Sequence, residues 1–110
     1  MDRRKQEEQN VIDSIRKVAL SAVPEGGRVV LFGSRARGDY RADSDWDLLI
    51  ILNKAEIDQY DYDNVSYPFF ENGLKLGLSF SPILYTSDEW ESRKTTLFRY
   101  NVEKDGIQIL

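Results

Sequence analysis

Apolar residues first recur at helical spacing: Val11, Ile12, Ile15, Val18, Ala19 and Ala22 fall on one side, with Asp13, Arg16 and Lys17 on the other. This period predicts an amphipathic helix, ended by Pro24 and the Gly26-Gly27 pair. Arg28-Val29-Val30-Leu31-Phe32 is a β-branched, bulky run that predicts a buried strand, and it stops at Gly33-Ser34. Arg35-Ala36-Arg37 then fits one helical turn closed by Gly38, and residues 39–44 are polar and loop-like. From Asp45 to Leu52 a second strand is expected, apolar on both sides after Asp47 and therefore central in its sheet. A connection of this length leaves the relative direction of the two strands open.

The remaining pattern is less regular. Ala55 to Lys75 carries a broken helical period, which Pro68 is expected to divide in two. Lys75 to Tyr85 reads as a third strand, with Leu76, Leu78, Phe80 and Leu84 alternating against Gly77, Ser79, Ser81 and Ile83. Ser87 has the look of a helix N-cap, with Asp88, Glu89 and Glu91 in the first turn, where the helix dipole favours them. A last helix ends near Gly106 and leaves Ile107 to Leu110 as a short edge strand or docked tail. The fold class is α/β (α+β), a small mixed β-sheet flanked by helices in a single domain over residues 1–110.

Composition narrows the chemistry. The chain has 110 residues, 41% apolar and 31% charged, which describes an ordinary globular protein of one domain. Its net charge of −4 gives no electrostatic footprint for nucleic acid. Cysteine and histidine are both absent, which removes thiol catalysis, disulfides, imidazole bases and His- or Cys-ligated zinc. Any metal must be held by oxygen, as magnesium, manganese or calcium are. The charged start, Met1-Asp2-Arg3-Arg4-Lys5, does not read as a signal peptide, and the longest apolar run, Leu48 to Leu52, does not span a membrane. A cytoplasmic location is the expectation.

Two short motifs carry candidate chemistry. Gly33 lets the backbone approach phosphate oxygens, the turn after it presents free N–H groups, and the Ser34 hydroxyl adds a donor. Arg35 and Arg37 on the same turn supply local positive charge. Alone, this segment fits a plain strand-to-turn glycine with solvated arginines equally well. It is not a P-loop, because Asp39 and Tyr40 stand where lysine and Ser/Thr belong. Asp45 and Asp47, two apart on a strand, share one face with Cα atoms roughly 6–7 Å apart. A hard cation between them relieves their repulsion and can bridge to a triphosphate. Taken singly, such a pair is more often a solvated strand end. Both motifs at strand ends, in this order, form the strongest signal in the sequence.

Gly33-Ser34-Arg35-Ala36-Arg37-Gly38 followed by Ser44-Asp45-Trp46-Asp47-Leu48 resembles the nucleotidyltransferase core shared with DNA polymerase beta, above all the minimal nucleotidyltransferase (MNT) domains. The likeness extends over the whole chain in element order. It implies a polymerase beta-like fold, a triphosphate bound by Gly33 and Ser34, and Mg2+ held by Asp45 and Asp47. ATP or another nucleoside triphosphate is then the substrate. Many MNT proteins are antitoxins paired with a HEPN-type toxin, and some transfer AMP to a tyrosine of that toxin. Members of this superfamily usually carry a third carboxylate on the next strand. The corresponding segment here, Leu76 to Leu84, has none, and Ser79 or Ser81 takes the place. The general base is therefore unassigned.

After a core of three strands, little chain is left for an acceptor pocket, so the acceptor is expected on a protein partner. The leading expectation is Mg-dependent AMP transfer from ATP to a protein hydroxyl. One alternative is a degenerate nucleotide-binding antitoxin acting by direct binding. Another is a small-molecule transferase of the antibiotic-modifying kind. No direct nucleic-acid or membrane contact is expected, and homo- or hetero-oligomerisation stays open. Asp61-Tyr62-Asp63 repeats the Asp-x-Asp spelling in a helical or irregular stretch and reads as surface charge. Phe69 and Phe70 read as core, whereas Tyr60, Tyr62 and Tyr67 fit either core or a partner surface.

Overall fold

The computed structural model describes residues 2–110. Helix α1 (Arg3–Ala22) is capped by the Asp2 carboxylate, which accepts from Lys5 N at 3.0 Å. It begins well ahead of the apolar stripe. Its first turns are polar all round and are held by i,i+4 pairs such as Arg3 to Glu7 (3.1 Å) and Gln6 to Asn10 (3.0 Å). Strand β1 (Arg28–Phe32), the single turn α2 (Ser34–Arg37) and strand β2 (Trp46–Leu52) follow. A helical stretch then runs through α3 (Gln59–Asp61), a π-helical segment (Tyr62–Ser66) and α4 (Tyr67–Lys75). Strand β3 (Phe80–Thr86), α5 (Ser87–Ser92), α6 (Leu97–Asp105) and β4 (Ile107–Gln108) complete the chain.

The four strands form one mixed sheet in the order β3-β2-β1-β4. β1 runs antiparallel to β2 and β4, and β2 runs parallel to β3. The central place expected for β2 is observed. Strand alternation explains its apolar sequence: Trp46, Leu48, Ile50 and Leu52 join Ile15, Ala19 and Phe69 beneath α1 and α4. Leu49 and Ile51 join Trp90 and Val102 beneath α5 and α6 on the other face. Among the described residues, no helix is long and apolar enough to cross a membrane.

Several local expectations are corrected. Pro68 does not divide the helical stretch. The turn before it widens to a π-helix, with Tyr67 N–H donating to Tyr62 O, and the wider turn accommodates a residue that has no N–H and a bulky ring. The third strand starts at Phe80, not Lys75. Residues up to Lys75 are helical, and Gly77 (φ +71) ends the helix in a Schellman motif: Leu78 N donates to Gly73 O (2.8 Å) and Gly77 N to Leu74 O (3.1 Å). The N-cap of α5 is Thr86, not Ser87, in a reciprocal capping box with Glu89. Phe69 is fully buried as expected, but Phe70 is exposed beside Tyr67.

Asp61 is not surface charge. Its carboxylate is buried, accepts from Lys54 Nζ at 2.7 Å and Asp58 N at 3.0 Å, and closes a capping box on α3; Asp63 stays exposed. Asp61→Ala removes two charge-assisted hydrogen bonds and strands the Asp58 amide. We expect Tm in thermal unfolding to fall by roughly 5–10 °C, the shift that a loss of this kind gives in a domain of this size.

Candidate active site

The β1–β2 ladder brings the two sequence motifs together. Phe32, the last residue of β1, pairs with Asp47, so Gly33 lies immediately past the partner of Asp47. Gly33 adopts φ 75° and ψ −159°, a conformation open to glycine and strained for other residues. A Cβ placed there would collide with Asp47 Oδ2. The acid thus rests against the backbone of the turn. α2 follows at once, its orphan N–H groups lying just beyond the glycine. Gly38 (φ +90) closes it, donating to Ser34 O at 2.9 Å.

Asp47 is half-buried and Asp45 is exposed one residue ahead of β2. Burial raises the pKa of the Asp47 carboxyl above the ordinary carboxylate value; the Asp45 charge adds to the rise and Arg37 opposes it. A half-buried carboxylate against a glycine turn, with a second carboxylate charge acting on it, suits a divalent cation. Among the described residues there is no cluster of three or more His, Cys, Asp or Glu side chains. Any ion held here would complete its shell with ligand and water oxygens.

On the other side of Asp47, the parallel register places Ser81. Ser81 is thus the serine whose backbone stands opposite Asp47, while Ser79 lies just ahead of the strand, its carbonyl accepting from Trp46 N at 2.9 Å. Phe32, on the same face, packs edge-on against Phe98 of α6 with centroids 5.4 Å apart, forming an aromatic floor beside the acids.

The two arginines of α2 part company. Arg37 is exposed near Asp47 and pairs with exposed Asp39 at 3.2 Å, a contact too solvated to hold it fast. Arg35 leaves the acids altogether. Its guanidinium donates to Ser44 O and Ala42 O and lies over the rings of Tyr40 and Trp46. Trp46, between the two acids in sequence, points to the opposite face, where it lines a cleft of about 340 Å³ with Arg4, Glu8 and Tyr40. The roles of Tyr40, Trp46 and Ser44 left no motif in the sequence beyond their nearness to the acids.

A sequence model of the family described as "Nucleotidyltransferase domain" matches residues 12–107. The chain belongs to that family. As a nucleotidyltransferase domain, it is similar to two proteins of Methanocaldococcus jannaschii that both bear the name "Putative protein adenylyltransferase". One is 34% identical over 84 residues, covering 74% of this chain and 77% of the relative. The other is 32% identical over 79 residues, covering 72% and 73% respectively. Among solved structures, a crystal structure of a toxin-antitoxin with AMP-PNP shares the fold, with a TM-score of 0.64 and 18% identity over 90% of this chain and 72% of that one. The nucleotidyltransferase domain thus has the mixed sheet and flanking helices of its family.

Proposed function

We propose that this nucleotidyltransferase transfers AMP from ATP to a hydroxyl on a protein partner. The observation that carries the reading is the close approach of the Asp47 carboxylate to Gly33, which sets one acid of the Asp45–Asp47 pair against the glycine turn. The backbone of Gly33 and the amide and hydroxyl of Ser34 hold phosphate oxygens, and Arg37 supplies the mobile positive charge. Asp45 and Asp47 hold Mg2+, whose chemistry is to neutralise the triphosphate and stabilise its leaving group. The acceptor oxygen bonds to the α-phosphorus, the bond to the bridging β-phosphate oxygen breaks, pyrophosphate departs and the hydroxyl proton is released. Transfer of AMP to protein is supported by the name of the archaeal relatives, and an ATP-like ligand and a toxin partner by the toxin-antitoxin neighbour with AMP-PNP. A HEPN-type toxin is the partner we propose.

The decisive experiment incubates such a toxin with α-labelled ATP, Mg2+ and either the native chain or Asp45→Asn/Asp47→Asn. Label in the toxin with the native chain alone is expected. No label with either protein removes the activity, and equal label removes the assigned site.

Ser81 in register with Asp47 favours a second reading, in which the domain binds nucleotide and silences its partner by occlusion. There the double Asn variant would still neutralise. Ser81→Asp bears on both. A third carboxylate crowds the pair, so the metal-free variant should melt lower than the native chain, and Mg2+ should restore it. If the missing acid limits turnover, the variant should be faster by about tenfold or more, the range of a positioned general base. Unchanged melting with and without Mg2+ would place Ser81 away from the site.

A further inference from the structure

Arg35 belongs to the turn that carries Ser34 and Arg37, yet it serves a different surface. Its Nε and Nη2 both donate to Ser44 O, at 3.3 and 3.2 Å, and Nη2 also donates to Ala42 O at 3.1 Å. The same guanidinium lies flat enough to engage two rings, 4.1 Å from the centroid of Tyr40 and 4.7 Å from that of Trp46. Arg4 braces the outer ring from α1, donating to Tyr40 Oη at 3.2 Å. Trp46 is almost fully buried, so the inner ring is a fixed platform.

The carbonyl that Arg35 grips is the one joined to the Asp45 amide. A peptide unit is planar, so fixing Ser44 O fixes the plane from which the Asp45 side chain departs. The next anchor is Trp46 N, which donates to Ser79 O at 2.9 Å. Asp45 itself is exposed, and the loop before it closes on itself through Ser44 N to Arg41 O (3.0 Å) and Arg41 N to Ser44 Oγ (2.8 Å). Arg35 therefore shares the ordering of the Ser44–Asp45 peptide with that turn and with the Trp46 bond.

We propose that Arg35 is a positioning residue for the cation site, holding the Asp45 carboxylate beside Asp47 through the Ser44–Asp45 peptide rather than touching phosphate. The proposal rests on the reading that Asp45 and Asp47 hold the divalent ion. It replaces the phosphate-holding role that the sequence suggested for Arg35. Two arginines of one turn thereby take different roles, Arg37 facing the ligand and Arg35 facing the loop. Lysine cannot substitute, because one ammonium does not present a planar fork to two carbonyls while stacking between two rings.

The test compares Arg35→Lys with Arg37→Ala. Mn2+ affinity is read by electron paramagnetic resonance, ATP affinity without metal by calorimetry, and loop order by amide hydrogen exchange at residues 41–46. For Arg35→Lys we expect Mn2+ affinity to fall by about tenfold, the usual cost of losing a group that orients a metal ligand. Metal-free ATP affinity should hold within about twofold, and amide exchange should quicken at Ser44 and Trp46, whose N–H groups donate to Arg41 O and Ser79 O. Arg37→Ala should do the reverse, weakening metal-free ATP binding and sparing Mn2+. Tyr40→Leu removes one ring while leaving the guanidinium, and should weaken Mn2+ binding by a smaller factor; it carries the test if Arg35→Lys does not fold.

Unchanged Mn2+ affinity in Arg35→Lys and Tyr40→Leu overturns the proposal. So does a loss of metal-free ATP affinity in Arg35→Lys equal to that of Arg37→Ala, which would mean direct phosphate contact. Asp45→Asn/Asp47→Asn is the reference. If it binds Mn2+ like the native chain, the cation site itself is lost and Arg35 with it; if it loses Mn2+ while Arg35→Lys does not, only Arg35 is wrong.

Discussion

Asp47→Asn is expected to lower nucleotidyl transfer by about three orders of magnitude, in line with the removal of a charged group at the reacting centre, while raising the Tm of the metal-free protein. The two effects have one cause. Asp47 is half-buried between Gly33, Phe32 and Ser81, and both burial and Asp45 raise its pKa. The native state therefore resists the charged carboxylate that a cation requires. The linkage sign follows: the charge destabilises the fold in full above the raised native pKa, and the cost vanishes once pH falls below the unfolded-state value. The melting advantage of the Asn variant should be present at neutral pH and fade on acidification through that window. Over the same window the native protein should lose its affinity for the divalent ion, at a higher pH than an ordinary aspartate would. Saturating Mg2+ with ATP should reverse the ranking, since ligand at a hundredfold excess over its Kd stabilises only the protein that binds it, by about 2.7 kcal/mol. Scanning fluorimetry at neutral and acidic pH, with and without Mg-ATP, checks all of this. A metal-free Asn variant that melts below the native chain would show that Asp47 is not strained by its surroundings.

The parts of this site legible in the sequence are those whose constraints are local. The bulky run Arg28–Phe32 ends at a glycine, and a four-residue turn ends at another; each follows from what those residues allow on their own. β2 could be placed in the centre because its apolar residues continue on both faces. What escaped depends on partners distant in the chain, or on one pattern with two meanings. Leu76, Leu78 and Phe80 alternate as a strand would, yet the first two belong to a helix end. A Schellman cap around Gly77 needs an apolar residue just beyond the glycine, and so spells out the same alternation. Asp61 reads like Asp63 until Lys54 folds back onto it. Arg35 reads like Arg37 until the loop carrying Tyr40, Ala42 and Ser44 closes over it. The polar start of α1 has no apolar period, because side-chain pairs along the helix hold it instead of a core. The register of β3 cannot be read before its start is known, so which serine stands opposite Asp47 had to await the ladder.

Gly33→Ala should cost more than any other glycine substitution in the turn, and Gly38→Ala shows why. Both positions have positive φ, 75° and 90°, so each variant carries backbone strain of about 1–3 kcal/mol. At Gly38 an added methyl meets nothing within 4 Å, and the cost stops there. At Gly33 it meets the Asp47 carboxylate. That side chain is short, and it can yield only by swinging its oxygens away from the turn, which is the motion that separates the acid from the turn we propose to hold phosphate. Gly38→Ala should therefore lower Tm and keep turnover within a few-fold. Gly33→Ala should lower Tm by more and lose about a hundredfold or more in activity, as a displacement of order 1 Å at the reacting centre does. Adding Asp47→Asn to Gly33→Ala should cost little further activity, because the first change has already displaced the acid. Independent, multiplicative losses in that double variant would mean that the glycine and the aspartate do not share one site.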